Sequence, residues 1–122
     1  MTTFHGTWGN RTLIFDNSTC LVTVLDLEPN QRCSWHYHNQ NFNLFYVVVG
    51  ILGVRTDKGY TTKLIEGQSF TVEPGVKHEF FTYNMETTIV EVAYVDYDHN
   101  DIIREKLGGP THEDDQEAEG SV

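Results

Sequence analysis

Apolar and polar positions alternate along most of the chain in short stretches broken by turn residues. Runs rich in Val, Ile, Thr, Phe and Tyr predict strands over residues 12–15, 21–27, 33–38, 44–49, 51–55, 60–65, 68–72, 77–83 and 87–97. The punctuation between them is Asp16-Asn17-Ser18, Glu28-Pro29-Asn30, Gly50, Asp57-Lys58-Gly59, Glu66-Gly67 and Glu73-Pro74-Gly75. Asp57-Lys58-Gly59 suits a hairpin, because glycine accepts a positive φ. One helix is expected late in the chain. Asn100 caps it, Asp101 sits in its first turn, residues 102–107 propagate it, and Gly108-Gly109-Pro110 ends it. Many short strands with a single late helix predict an all-β jelly-roll barrel. The domain is expected over residues 1–109, followed by an acidic disordered tail over 110–122.

Composition narrows the picture. With 122 residues, 39% of them hydrophobic, the chain suits one domain with one core. No apolar run approaches the ~20 residues of a membrane span, so no membrane partner is expected. The N-terminal residues lack the basic and apolar regions of a secretory signal, which implies a cytoplasmic protein. In that compartment Cys20 and Cys33 are expected as reduced thiols. The net charge of −10 repels a polyanion, so nucleic acid is excluded as a partner.

The chemistry centres on Ser34-Trp35-His36-Tyr37-His38. Residues i and i+2 of a strand share a face, so His36 and His38 project side by side, as two ligands of one ion require. Imidazoles suit Zn, Fe, Mn, Ni or Co.

The surrounding spacing resembles the cupin superfamily. Its first motif, G-x5-HxH-x3–4-E-x6-G, is matched by Asn30, His36, His38, Asn43 and Gly50. Its second, G-x5-P-x-G-x2-H-x3-N, is matched by Gly67, Pro74-Gly75, His78 and Thr82. The resemblance implies a cupin double-stranded β-helix in which His36, His38 and His78 hold one divalent transition metal. Three positions depart from the pattern. Asn30 replaces a glycine, and Asn tolerates the left-handed conformation. Pro74 is shifted by one. Asn43 stands where a glutamate ligand is expected, so the site is either a three-histidine centre with Asn43 as a weak ligand or substrate contact, or one that has lost its metal. A looser likeness runs through Trp8-Gly9, Leu25 to Pro29, Phe45 to Gly50, Ile89-Val90-Glu91-Val92 and Asp101-Ile102-Ile103-Arg104. It is similar to the cupin domains of the type II mannose-6-phosphate isomerase group, and it implies sugar or sugar-phosphate substrates.

Strand parity adds further candidates. Arg32 and Ser34 share parity with the histidines, and Arg32 is a candidate anchor for a phosphate or carboxylate. Phe45 and Phe80 are candidate pocket walls. Glu91, inside an apolar strand, is a candidate catalytic base if it points inward. Leu44, Tyr46 and Val48 put a second apolar face on one strand, which predicts a homodimer. The expected function is a metal-dependent isomerase or epimerase acting on a small polar substrate. The alternatives are a three-histidine iron dioxygenase and a non-catalytic module that binds sugar or another small ligand.

Overall fold

A computed structural model describes residues 3–94 and 100–112. In chain order the strands are β1 (Thr3–Gly6), β2 (Gly9–Asp16), β3 (Cys20–Leu27), β4 (Gln31–Arg32), β5 (Trp35–Tyr37), β6 (Phe42–Val49), β7 (Leu52–Thr56), β8 (Thr61–Leu64), β9 (Ser69–Val72), β10 (His78–Thr82), β11 (Thr87–Tyr94), β12 (Ile103–Lys106) and β13 (Gly109–Pro110). One sheet runs β1-β2-β3-β11-β6-β9. The other runs β12-β5-β10-β4-β13, with β7 also on β10 and β8 on β7. All these pairings are antiparallel. The fold is the expected double-stranded β-helix jelly roll.

Alternation explains the core. In β6, Asn43, Phe45 and Val47 point inward, and Leu44, Tyr46 and Val48 point outward. In β11, Thr87, Ile89 and Ala93 are buried, and Glu91 shares their face. Leu25, Leu27, Phe45, Val47, Leu52, Val54, Phe80 and Ile89 form the centre of the apolar cluster. Outside, Tyr46 and Val48 remain exposed, on the face that the sequence assigns to a second protomer.

Local turn chemistry holds as read. Asn30 has φ 58°, the left-handed conformation expected of it, and Gly59 has φ 92° in the hairpin between β7 and β8. The strand expected over 87–97 is described as far as Tyr94, and the acidic run from residue 113 onward lies outside the described residues. The β1–β2 hairpin was not anticipated, because β1 has too little apolar alternation to mark it.

The expected helix is absent. Ile103–Lys106 is a strand, with Ile103 opposite Tyr37 and Arg104 opposite His36. A single eight-residue helix is marginal in water. β5 offers a free edge whose backbone groups need partners, and Ile102 and Ile103 are β-branched, so pairing wins. The segment then continues through Gly109–Pro110 against Gln31–Arg32, and the Thr111 N–H donates to Asn30 O.

The β2–β3 ladder contains a close backbone approach at Gly9, opposite Leu27. A Cβ there would stand 2.0 Å from Asp26 O, on a backbone with φ +137°. Gly9→Ala is therefore expected to cost about 3 kcal/mol or more through clash and strain. Urea denaturation measures this, and a loss below about 0.5 kcal/mol, typical of surface changes, would contradict it.

Candidate metal centre

His36 lies in β5, His38 follows that strand by one residue, and His78 opens β10 directly opposite His36. All three are buried, and His78 has no exposed surface. Their ring centroids are 4.5 Å (His36–His78), 5.0 Å (His36–His38) and 5.4 Å (His38–His78) apart. One ligand atom from each lies within 4.8 Å of the other two.

Each ring is oriented by the same device. His36 Nδ1 donates to Ser34 O (2.8 Å), His38 Nδ1 to Asp101 O (2.5 Å) and His78 Nδ1 to Val76 O (2.9 Å). A proton held on Nδ1 leaves the Nε2 lone pair for a ligand role. The Nε2 atoms of His38 and His78 are buried with no hydrogen-bond partner. Burying such atoms is costly unless something binds them. Burial, reinforced by the neighbouring imidazoles, lowers the His36 pKa to about 2, and burial lowers His78 to about 4. His38 shifts the same way, again through burial, although Asp101 opposes it. The imidazoles are thus neutral near pH 7, as metal ligation requires. The donor set fits one divalent transition ion.

His36 and His38 line a cavity of about 310 Å³, and His78 lies enclosed behind them. Glu91 reaches the cavity from the other sheet. Asn43 Nδ2 donates to Glu91 Oε2 (2.7 Å), and Asn43 Oδ1 accepts from Asn41 Nδ2 (3.0 Å). Both ends of the Asn43 amide are thereby engaged with side chains other than the histidines. Burial raises the Glu91 pKa, against the opposing pull of Arg11 and the bond from Asn43. Phe80 lines the cavity, and Phe45 packs behind it, with ring centroids 5.6 Å from Phe80 and 6.2 Å from His78.

Arg32 does not line this cavity. Its guanidinium donates to Leu107 O (2.6 Å) and Pro110 O (3.2 Å) and lies 4.0 Å from Glu79. Parity holds for Ser34, which lines the cavity with its hydroxyl 2.7 Å from His36 Nδ1, but it is not carried across the break between β4 and β5 to Arg32. Cys33 turns inward instead and lines the cavity. Burial pushes its thiol pKa up, so it stays protonated. Cys20 and Cys33 are both free.

Four charged or amide residues that line the cavity were not site candidates in the sequence reading: Arg11, Asn41, Asp101 and Arg104. A signal existed for Arg11, since it pairs with inward-facing Leu25, but only once the β2–β3 register is known. Asp101 is a clamp. Besides holding His38 through its carbonyl, its carboxylate accepts the N–H groups of Asn39 (2.6 Å), Gln40 (2.6 Å) and Asn41 (3.1 Å). Burial pushes the Asp101 pKa up, but the three amides outweigh it and hold the pKa below its ordinary value. The clamp therefore stabilises the fold above the ordinary carboxylate range and is lost as pH falls through the lowered value. Asp101→Asn sets an amide N–H₂ against backbone donors. It is expected to cost about 1–3 kcal/mol of stability and about 10–100-fold in metal affinity. Thermal melts and metal titration measure both, and an unchanged affinity would remove Asp101 from the site.

A jelly roll carrying three inward histidines that could hold one ion is a barrel of the cupin class. The chain belongs to the cupin domain family, whose model matches residues 23–95. No curated protein matches it in sequence. Among solved structures, KdgF from Halomonas sp. is similar with a TM-score of 0.67 at 16% identity, over 73% of this chain and 80% of that one. An uncharacterized conserved protein with a double-stranded β-helix domain from Klebsiella pneumoniae subsp. pneumoniae has a TM-score of 0.65 at 18% identity, over 83% and 77%. Oxalate decarboxylase from Bacillus subtilis has a TM-score of 0.75 at 14% identity, over 85% of this chain, which spans only 30% of that enzyme. At these identities the likeness is one of fold. Among the described residues no helix is long and apolar enough to cross a membrane.

Proposed function

We propose that the chain is a metal-dependent enzyme of the isomerase or epimerase type, acting on a small polar substrate. The observation that carries this reading is the three-histidine cluster with its Nδ1 atoms anchored and its ligand atoms converging. His36, His38 and His78 would hold the ion, which when bound supplies Lewis acidity toward a carbonyl or hydroxyl oxygen. Glu91 faces the same cavity and takes a proton from the substrate carbon next to that oxygen, then returns it. Its raised pKa brings it toward the neutral range where such a base works best. Asn43 holds the carboxylate by its Oε2, leaving Oε1 for the proton. Phe80, Leu25 and Ala93 supply apolar wall that limits water around the carboxylate. A binding module has no need of an inward carboxylate with a raised pKa, so Glu91 favours the enzyme. A second reading, a three-histidine oxygenase, is favoured by Asn43, whose engaged amide leaves the triad without a carboxylate ligand.

Metal content of the purified protein tests the reading, together with Asn43→Glu. That variant places a second carboxylate beside Glu91, so the metal-free protein is destabilised and affinity for a divalent ion rises. One ion per chain in the wild type and tighter binding in Asn43→Glu is the expected result. Zero metal in both would exclude a metal site. Tight wild-type binding of iron with substrate-dependent uptake of O₂ would favour the oxygenase.

A further inference from the structure

The chain carries a net charge of −10, yet its cavity holds two arginines, Arg11 from β2 and Arg104 from β12. Arg104 stands opposite His36 in the β12–β5 ladder, and Arg11 stands opposite inward-facing Leu25 in the β2–β3 ladder. Among the described residues neither guanidinium has a hydrogen bond or ion pair with the chain, and Arg104 is exposed at the rim of the cavity. Arg11 is steadied from one side by the Phe4 ring, 5.3 Å from its guanidinium carbon. The two remaining arginines contrast with these, since Arg32 and Arg55 are both committed to Glu79. Among the described residues neither cavity carboxylate forms an ion pair with these arginines. Asp101 spends its oxygens on three backbone amides, and Glu91 is bonded to Asn43.

We propose that Arg11 and Arg104 are specificity residues that read an anionic group, a carboxylate or a phosphate, on a substrate bound over the histidine triad. The proposal rests on the metal-enzyme reading for the second anchor of that substrate. Guanidinium forks match both oxyanions and bind them in pairs of parallel hydrogen bonds. Two unpaired forks at the wall of a concave site focus positive potential in an otherwise acidic protein, which draws in an anion and excludes a neutral analogue. The placement follows from the pairing of residues 103–106 with β5. Pairing sets Arg104 opposite the ligand-bearing His36 position, which a helix there would not do.

The test uses the whole chain, with Co²⁺ as the probe ion and metal content measured first. Malonate, inorganic phosphate and neutral malonamide are then titrated calorimetrically into metal-free and Co²⁺-loaded protein. Malonate or phosphate is expected to bind and malonamide not to bind. Whichever anion binds more tightly identifies the group. Arg11→Gln and Arg104→Gln are each expected to weaken that binding roughly tenfold or more, the size of one charge-assisted hydrogen bond. Both variants should keep wild-type Co²⁺ content, which shows that the site is still folded. If the anions bind no better than malonamide, or if neither variant weakens them, the proposal is overturned while the metal reading stands. If Co²⁺ does not bind, the metal reading fails. The arginine proposal is then decided by the metal-free titration alone, where arginine-dependent anion binding supports it and its absence overturns it.

Discussion

His78→Ala lowers bound divalent metal from one ion per chain to below about a tenth of that. Loss of a mere outer-layer partner already costs about 10–100-fold in affinity, and His78 is a direct member of the triad. Its ring is central, with both other rings within 5.4 Å and its own Nε2 buried without a partner. Two remaining imidazoles leave the ion to water and buffer. The same loss is expected for His36→Ala and His38→Ala, which separates ligation from packing, because these two sit nearer the cavity than the fully enclosed His78. Thermal melts provide a second readout. An ion present at 100 times its dissociation constant stabilises the native state by about 2.7 kcal/mol, so added metal raises the melting temperature of the wild type and not of the variants. Retention of stoichiometric metal by all three variants would falsify the triad as the site.

Glu91→Gln is expected to lower turnover by about 10²–10⁴-fold, the usual contribution of a positioned base, with metal content unchanged. Glutamine keeps the shape, and its Oε1 still accepts from Asn43 Nδ2, so the pocket wall survives. It cannot take a proton. Folding stability should hold or rise, since the variant removes a carboxylate that burial disfavours. The readout is uptake of solvent deuterium at the carbon beside the carbonyl, across a panel of keto sugars and their phosphates. Exchange at the wild-type rate in Glu91→Gln would exclude Glu91 as the base and leave the cavity to binding or to oxygen chemistry.

Nearness to the histidines in sequence was a poor guide to the positive charge at the site. Arg32, four residues before His36, spends its guanidinium on the carbonyls of Leu107 and Pro110. Arg104, distant in sequence, faces the cavity. Asn43 was correctly placed on the inner face by parity, but its partners, Asn41 and Glu91, could not be read. Glu91 itself was legible as an alternation candidate, and the β11–β6 ladder turns it inward beside Phe45.

Strand alternation, turn positions and the pairing of His36 with His38 are local properties. A period of two and a positive φ depend on neighbours within a few residues, so they were present in the chain before any folding. The same holds for Asn30 at φ 58° and for the hairpin at Gly59. Long-range edges and registers are not local. One edge of β5 lacks a partner until residues 103–106 arrive, and only that meeting makes them a strand. Asp101 becomes a clamp, and Arg11 and Arg104 become cavity residues, through contacts between segments far apart in the chain. Free backbone groups at an edge outweigh the weak preference of a short segment for helix, and that balance is settled only in the assembled barrel.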